Sequence, residues 1–245
     1  MAVSNERMSL QQCADTIAGE IEGVFATLAT TADRVRQLRE QARAAGRCMT
    51  SRDLHTLREL VTAQLDAYGG RLNGSGFITA PGVLSDRDLY LEWWIRNDDP
   101  VQFYPLRVDL DPASANFYNY ETMAWFALPR DTGKSVVVGP YVDLNGVDMY
   151  ILTFSQPVVH EGSFCGIVGA DVPVYSFERW VLHPLMRLPN DTVLIGEEGR
   201  VIAANTADWP IGTLAPSLVE AEGERHRRVE LAGEGLSWSL VETSP

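Results

Sequence analysis

The longest pattern in the chain is an apolar stripe near its start. Between residues 8 and 45, apolar side chains recur every three or four positions, which predicts one continuous helix with a single buried face. At 1.5 Å per residue such a helix is about 50 Å long or more, and Gly46 follows it as a C′ residue. Two interpretations are open: the helix packs along its own domain, or it forms the seam of a homodimer. The stripe consists of Leu10, Cys13, Ile17, Ile21, Val24, Leu28, Ala32, Val35, Leu38 and Ala42.

The next segment predicts a second helix and then a turn. Residues 51–68 begin with a serine, a favoured N-cap residue, and continue with Leu and Val at helical spacing. The glycine pair 69–70 ends this helix. Residues 74–76, Gly-Ser-Gly, are interpreted as a turn that leads into a first strand at residues 77–80.

Two adjacent tryptophans lie in a strand-like segment at residues 89–96. Successive side chains of a strand point to opposite faces, so at most one of Trp93 and Trp94 can enter a given pocket. Core packing is the ordinary role for either ring. The pattern does not decide between them, and Trp94 is included among the candidate site residues.

The central stretch, residues 118–171, is the part around which the rest is arranged. Its aromatic start, residues 117–126, is expected on a short helix or an irregular loop. The apolar runs 150–159 and 164–172 are short and rich in β-branched residues, which predicts strands. Asp171 stands where the second strand ends, so its carboxylate is either solvated or directed at a ligand.

The last quarter of the chain predicts a smaller α+β lobe. A linking helix is expected at residues 177–182, ending before His183-Pro184. Strands are expected at residues 192–195 and 201–204, around a glycine-rich hairpin, and a closing strand at residues 238–241.

Composition excludes several classes of protein. The 245 residues carry a formal net charge of −13, which argues against direct nucleic-acid binding because that needs a basic surface. Cys13, Cys48 and Cys165 are scattered, so neither a zinc site nor a disulfide framework is expected. No apolar run approaches the length of about 18–20 residues that a membrane span needs, and no secretion signal is evident. The sequence therefore predicts a cytoplasmic chain.

Catalytic and metal-binding motifs are not evident in the sequence. The four histidines, His55, His160, His183 and His226, lie far apart and lack partners at metal-ligand spacing. No HExxH, P-loop, dinucleotide fingerprint or nucleophile elbow is present. We therefore expect no enzyme activity, no cofactor and no metal ion.

The candidate chemistry is the binding of a cation. An ammonium group needs a carboxylate to pair with and aromatic faces to lie against, and both interactions strengthen when water is excluded. Asp143, Asp171 and Glu121 supply carboxylates. Tyr118, Trp125, Phe126 and Tyr141 supply rings and hydroxyl groups.

These residues stand in an order that resembles the double Cache domain, a bilobed ligand-sensing relative of PAS folds. The resemblance covers roughly residues 70–240 and is strongest at residues 118–171. Amino-acid-binding members carry a Tyr, an Arg, a Trp-[Tyr/Phe] pair, a Tyr-x-Asp and a final Asp after a Gly-rich strand. The matching positions here, apart from the Arg, are Tyr118, Trp125-Phe126, Tyr141-x-Asp143 and Asp171.

The resemblance implies an α+β class: a bilobed double Cache fold with antiparallel PAS-like sheets behind a long N-terminal helix. On this basis residues 1–68 hold the helices, residues 69–184 form the ligand-binding lobe and residues 185–245 form the smaller lobe. It also implies a sensor that acts in transcription regulation or signalling, passing its signal to a separate partner or through a homodimer made by the N-terminal helix.

Met123 stands where the family has the arginine that holds a ligand carboxylate. A thioether cannot replace a bidentate guanidinium. The sequence therefore favours a sensor for a small cationic amine over one for an amino acid. Three alternatives stay open: an amino-acid sensor in which Arg96 or Arg107 binds the carboxylate, a small-molecule enzyme, and a structural interaction module.

Overall fold

The computed structural model describes residues 7–144, 149–219, 226–233 and 235–243. The chain divides into two compact units, one formed by Val24–Pro173 and the other by Met1–Gly23 with Val174–Pro245. The helices are α1 (Leu10–Ala44), α2 (Ser51–Leu54), α3 (Leu57–Tyr68), α4 (Ala124–Thr132), α5 (Val174–Leu185) and α6 (Pro216–Val219). The strands are β1 (Gly74–Thr79), β2 (Leu91–Asp98), β3 (Val101–Pro105), β4 (Val136–Asp143), β5 (Met149–His160), β6 (Ser163–Pro173), β7 (Asp191–Ile195), β8 (Val201–Ala204), β9 (His226–Glu230) and β10 (Ser239–Thr243).

Helix α1 confirms the predicted long helix. All ten residues of its apolar stripe are at most 5% exposed in the single chain, so this face is already covered by the chain itself. Gly46 follows with φ of +69°, the left-handed conformation expected of a C′ residue. A dimer seam on the stripe would have to compete with this packing, and the dimer stays a prediction.

The predicted helix at residues 51–68 is divided into α2 and α3. The Asp53 carboxylate accepts a hydrogen bond from the backbone N–H of Thr50 at 2.9 Å, which fixes the start of α2. The backbone carbonyl of Asp53 then accepts the side-chain hydroxyl of Thr56 at 2.8 Å. Because this side chain competes for a helical carbonyl, the first helix stops and a new one begins at Leu57. Gly69 ends α3 with φ of +57°, as predicted.

A six-stranded antiparallel sheet forms the larger unit, in the order β3-β2-β1-β6-β5-β4. The turn predicted at residues 74–76 is wrong, because these residues belong to β1 and are buried. Gly76 is needed there because a methyl group on it would lie 2.1 Å from the backbone oxygen of Glu92 in β2. The two glycines therefore allow close packing within a strand instead of a reversal of the chain.

The smaller unit contains a second antiparallel sheet, in the order β8-β7-β10-β9. Its strands β7, β8 and β10 confirm the three predicted there. Helix α5 continues to Leu185, beyond the predicted end at residue 182, and includes Pro184 in its last turn, where the missing N–H removes one helical hydrogen bond. The core of this sheet is Val193, Ile195, Val201, Ala215, Leu218 and Val241.

These elements confirm the predicted α+β class with a long first helix and antiparallel sheets. The lobe limits at residues 68/69 and 184/185 stay a prediction. Of the helices in the described part of the chain, none combines the length and the apolar character needed to cross a membrane.

Candidate functional site

Two rows of the larger sheet form the floor of a small cavity. In one row Gly74 of β1 pairs with Asp171 of β6, which pairs with Thr153 of β5. In the adjacent row Trp93 of β2 pairs with Gly76, which pairs with Gly169. The cavity is about 20 Å³, which is room for about one water molecule. It is lined by Ile78, Leu91, Trp93, Leu106, Tyr118, Trp125, Tyr141, Asp143, Thr153 and Asp171.

Asp171 is the central charged group of this cavity. Asp171 is buried, with 6% of its surface exposed. The hydroxyl of Thr153 donates to Asp171 Oδ1 at 2.8 Å, and the hydroxyl oxygen of Tyr141 lies 2.7 Å from Thr153 Oγ1. Since a threonine hydroxyl has a single proton to donate, Tyr141 is the donor to Thr153 when Asp171 is ionised. The three side chains thus form one hydrogen-bonded chain directed at the carboxylate.

Burial disfavours negative charge in this cavity. It raises the pKa of Asp171 to about 7, and the nearby Asp143 carboxylate adds to the rise, while the hydrogen bond from Thr153 opposes it. Burial also raises the pKa of Tyr118 and Tyr141, with smaller contributions from both aspartates. A cation placed among these groups would offset the repulsion between the carboxylates and restore the charge on Asp171.

The indole of Trp93 lies over backbone without side chains, at Gly74 and Gly169 on the cavity floor. A methyl group on Gly169 would lie 3.1 Å from Trp93 Cη2, and one on Gly74 would lie 2.7 Å from Trp93 Nε1. The same methyl group on Gly74 would lie 3.5 Å from Asp171 Oδ2. Glycines at these positions therefore make the room in which the ring lies flat, with its nitrogen toward the Asp171 side.

Five of the nine predicted site residues meet in the cavity. These are Tyr118, Trp125, Tyr141, Asp143 and Asp171. Their role in binding a ligand stays a prediction.

The other four do not line the cavity. Trp94 lies on the opposite face of β2, where its ring stacks under the Arg58 guanidinium and its Nε1–H donates to the buried Glu92. Glu121 is half-buried outside the cavity, and its backbone carbonyl accepts a hydrogen bond from Arg130. Phe126 is a fully buried core ring that meets Phe164 edge-on at 5.6 Å. Met123 is the fourth of these residues.

Met123 precedes α4 and packs against the aromatic core that includes Trp125. Its backbone carbonyl accepts the N–H of Ala127 at 2.8 Å and so begins the helix. Its thioether is therefore apolar packing beside the cavity wall, which agrees with the role expected of a methionine.

Neither arginine considered as a carboxylate ligand lines the cavity. Arg96 is on the Trp94 face of β2 and forms an ion pair with Asp98. Arg107 is exposed and lines an open neighbouring groove of about 480 Å³ that shares Leu106 with the cavity. Among the ten lining residues there is no Arg, Lys or His.

Sequence reasoning missed five of the lining residues: Ile78, Leu91, Trp93, Leu106 and Thr153. Thr153 lies inside an apolar run that indicated only a strand. Its pairing with Asp171 depends on the register of β5 against β6, which no local signal reveals. Trp93 was one of two rings that the strand pattern could not separate.

Among the described residues, one cluster outside the cavity consists of side chains of the types that bind metal ions. Ligand atoms of Glu40, His160 and Glu161 lie within 4.8 Å of one another. Both carboxylate oxygens of Glu40 already accept hydrogen bonds from Arg43, at 2.7 and 2.9 Å. The Glu40 carboxylate is therefore already paired with a guanidinium. The three cysteines are all free.

Comparison with known proteins supports the fold and the kind of domain. Residues 79–179 match the family model described as a methyl-accepting chemotaxis protein-like, first PDC sensor domain. Comparison with the curated proteins gives no significant sequence match.

Several solved structures share the fold along nearly the whole chain. The ligand-binding domain of the Pseudomonas fluorescens chemoreceptor CtaA, in complex with L-valine, has a TM-score of 0.60 at 11% identity over 95% of this chain and 92% of that one. That of the Pseudomonas aeruginosa PAO1 chemoreceptor PctC, in complex with GABA, has a TM-score of 0.56 at 16% identity over 94% and 95%. The extracellular domain of mmHK1S-Z3, described as a histidine kinase, has a TM-score of 0.64 at 15% identity over 95% and 90%.

These comparisons confirm the resemblance to double Cache sensor domains and correct two expectations. The cytoplasmic location is wrong, because the domains with this fold include extracellular domains such as that of mmHK1S-Z3. A role in transcription regulation has no support, whereas sensing and signal transduction do. The structural relatives are sensory domains of chemoreceptors and kinases, which agrees with a domain that does not catalyse a reaction.

Proposed function

We propose that this chain, which has the fold of the double Cache sensor domains, is an extracellular ligand-sensing domain for a small cationic amine. The observation that carries the proposal is the charge of the cavity: its ten lining residues include two carboxylates and no cationic side chain. A buried site of this kind gains from a positive ligand and loses from a negative one.

The aromatic lining supports the same ligand class. Trp93, Tyr118, Trp125 and Tyr141 surround the carboxylates, and the faces of such rings attract a cation, most strongly where water is excluded. The small volume favours a ligand of few heavy atoms, because a larger one must push these side chains apart. In this role Asp171 and Asp143 pair with the ammonium group, and Tyr118 and Tyr141 orient it.

An amino-acid ligand is the second candidate, because the relatives CtaA and PctC are solved in complex with L-valine and GABA. Its carboxylate would need a cationic partner, and Arg107 is the nearest candidate by virtue of its position beside Leu106. Reaching the cavity would require the exposed Arg107 side chain to fold inward, and Met123 supplies no charge. The amine is therefore the better supported ligand.

Decarboxylation pairs test the proposal directly. L-valine and isobutylamine, or GABA and n-propylamine, differ only in the carboxylate. We expect the amine of each pair, with methylamine and ethylamine alongside, to raise the melting temperature of the purified domain. A ligand at one hundred times its Kd adds about 2.7 kcal/mol to the free energy of unfolding. Stabilisation by the amino acids alone would overturn the proposal, turnover of a bound amine would support an enzyme, and no response to any ligand would support a structural module.

Signalling requires a partner or a second copy of the chain. Among the residues that the structure describes, we identify no catalytic centre that could generate a signal. Proteins that share this fold belong to chemoreceptors and histidine kinases. We infer that binding is passed to such an output protein. Because the apolar stripe of α1 is covered within the chain, a homodimer through this helix would use its polar face.

A further inference from the structure

The cavity lining includes one hydrogen-bond donor, the indole N–H of Trp93, that an ammonium group cannot accept. Trp93 is 4% exposed, and its indole Nε1 is buried with no hydrogen-bond partner among the described residues. A buried N–H without an acceptor destabilises the folded chain, because it has lost its hydrogen bonds to water. Most buried tryptophan N–H groups are paired, so this donor requires an explanation.

The donor is held in place and faces the charged part of the site. Glycines at positions 74 and 169 leave the backbone bare beneath the ring. Trp93 Nε1 and Asp171 Oδ2 both lie within 3.5 Å of the position that a methyl group on Gly74 would occupy. The N–H and the carboxylate therefore flank the same glycine in one wall of the cavity.

Trp94 provides an internal comparison on the same strand. Its Nε1–H donates to Glu92 at 2.8 Å, and the same carboxylate accepts the hydroxyl of Tyr90 at 2.7 Å. On that face the chain supplies a partner for the indole N–H, whereas on the cavity face none of the described residues does.

We propose that the ligand carries a neutral hydrogen-bond acceptor beside its ammonium group, and that Trp93 Nε1–H donates to this acceptor. The proposal rests on the proposed function and narrows the ligand class to small amines with a hydroxyl or ether oxygen, such as amino alcohols. A carboxylate would be a stronger acceptor, but it would lie beside Asp171 with no cationic side chain in the lining to offset the repulsion.

Ethanolamine and n-propylamine test this proposal because they differ by a hydroxyl in place of a methyl group. By calorimetry we expect wild-type protein to bind ethanolamine several-fold to about tenfold more tightly, as one neutral hydrogen bond allows. Trp93→Phe keeps a ring but removes the donor, so the ratio of the two affinities should fall to about one, whatever the smaller ring does to the binding of both amines. Trp94→Phe removes an indole N–H on the opposite face and should leave the preference unchanged.

A spectroscopic measurement covers the case in which Trp93→Phe does not fold. The wild-type chain has six tryptophans, and one ¹⁵N-indole resonance should move downfield with ethanolamine but not with n-propylamine. Equal affinities for the two amines together with unmoved indole resonances would overturn the acceptor proposal and leave the amine sensor intact. Tighter binding of β-alanine than of ethanolamine would overturn the neutral acceptor. Failure of both amines, with a response to amino acids, would overturn the proposed function and this inference together.

Discussion

The hydroxyl of Thr153 on β5 donates a 2.8 Å hydrogen bond to the buried carboxyl group of Asp171, its direct neighbour on β6. This bond favours the ionised form of a carboxyl group whose burial favours the protonated form. The balance between the two effects places the pKa of Asp171 near 7, so the charge on the cavity responds to small changes in its surroundings. The first four expectations follow from this pair.

Asp171→Asn should weaken amine binding and at the same time stabilise the ligand-free protein. The amide cannot pair with an ammonium group as a charge, and loss of a desolvated charge partner costs about 2–5 kcal/mol of binding free energy. The same change removes a buried ionisable group, so the empty protein should melt at a higher temperature above pH 7. Calorimetry with ethylamine and thermal melts at pH 8 check both effects. A variant that binds ethylamine like the wild type would show that Asp171 is not the ammonium partner.

The stability that Asp171 contributes should fall as the pH rises, because the pKa of its carboxyl group is raised in the folded protein. The folded value of about 7 lies above the ordinary value of about 3.9. The contribution of Asp171 to stability is therefore complete below about pH 4 and is lost as the pH rises through 7. Denaturant unfolding of wild type minus Asp171→Asn, measured between pH 4 and 9, isolates this group from other titrating residues. A flat difference curve would contradict the raised pKa.

Amine affinity should rise over the same pH range, because the ligand pairs with the ionised carboxylate. Below about pH 6 the protein must release a proton from Asp171 before it gains the ion pair, which weakens binding. Calorimetry in two buffers of different ionisation enthalpy measures the proton released. We expect release near pH 6 and almost none at pH 8.5. Proton uptake on binding would contradict this assignment.

Thr153→Val should weaken amine binding through Asp171. Without the hydroxyl, the carboxylate loses its donor and Tyr141 loses its hydrogen-bond partner, so the pKa of Asp171 should rise further. We expect roughly tenfold weaker binding at pH 7, recovered in part at pH 8.5, and full affinity in Thr153→Ser. Ser155→Ala is the matched control, because that hydroxyl is buried two residues along the same strand with no hydrogen-bond partner in the described part of the chain.

Met123→Arg tests whether the missing guanidinium decides between amine and amino acid. The arginine would bring a cation to the cavity wall beside Trp125, so ethylamine binding should fall and alanine binding should appear or increase. Met123→Leu keeps the apolar packing and should retain the amine preference. Calorimetry with the alanine and ethylamine pair measures both changes. Unchanged selectivity in Met123→Arg would show that residue 123 does not reach the ligand.

Gly74→Ala should disturb the site through Trp93. The added methyl group would lie 2.7 Å from the indole nitrogen, so the ring must move, and overpacking of this kind costs typically 1–3 kcal/mol. We expect a lower melting temperature and weaker ethanolamine binding. Gly19→Ala is the control, because a methyl group there meets nothing within 4 Å and should stabilise the helix by about 0.5–1 kcal/mol. Equal stability of the two variants would contradict the packing described here.

The sequence predicted the elements whose signal is local. The stripe of α1 is periodic over about nine turns, so the helix and its buried face were both predicted correctly. The break between α2 and α3 depends on which carbonyl the Thr56 hydroxyl takes, and this choice leaves no trace in hydrophobic periodicity.

The site was predicted only in part. Some of its residues follow from the order of motifs along the chain, whereas others are brought into the site by the register of the strands. Asp143 and Asp171 were recognised by their order along the chain, and they meet in the cavity. Thr153 and Trp93 join them only through strand pairing. The location was predicted wrongly because a missing apolar run indicates little about where a domain is placed in the cell.

The bare floor under Trp93 also has an evolutionary consequence. Space at position 74 is taken by the indole itself, whereas space at position 76 is taken by the backbone of β2. In related chains the residue at position 74 should therefore vary together with the one at position 93, with larger side chains at 74 only where 93 is small. Position 76 should remain glycine whatever the ligand, because no change at 93 would free the room there. Alignment of homologues can separate the two positions, and the covarying one would mark where sensors of this kind change their ligand.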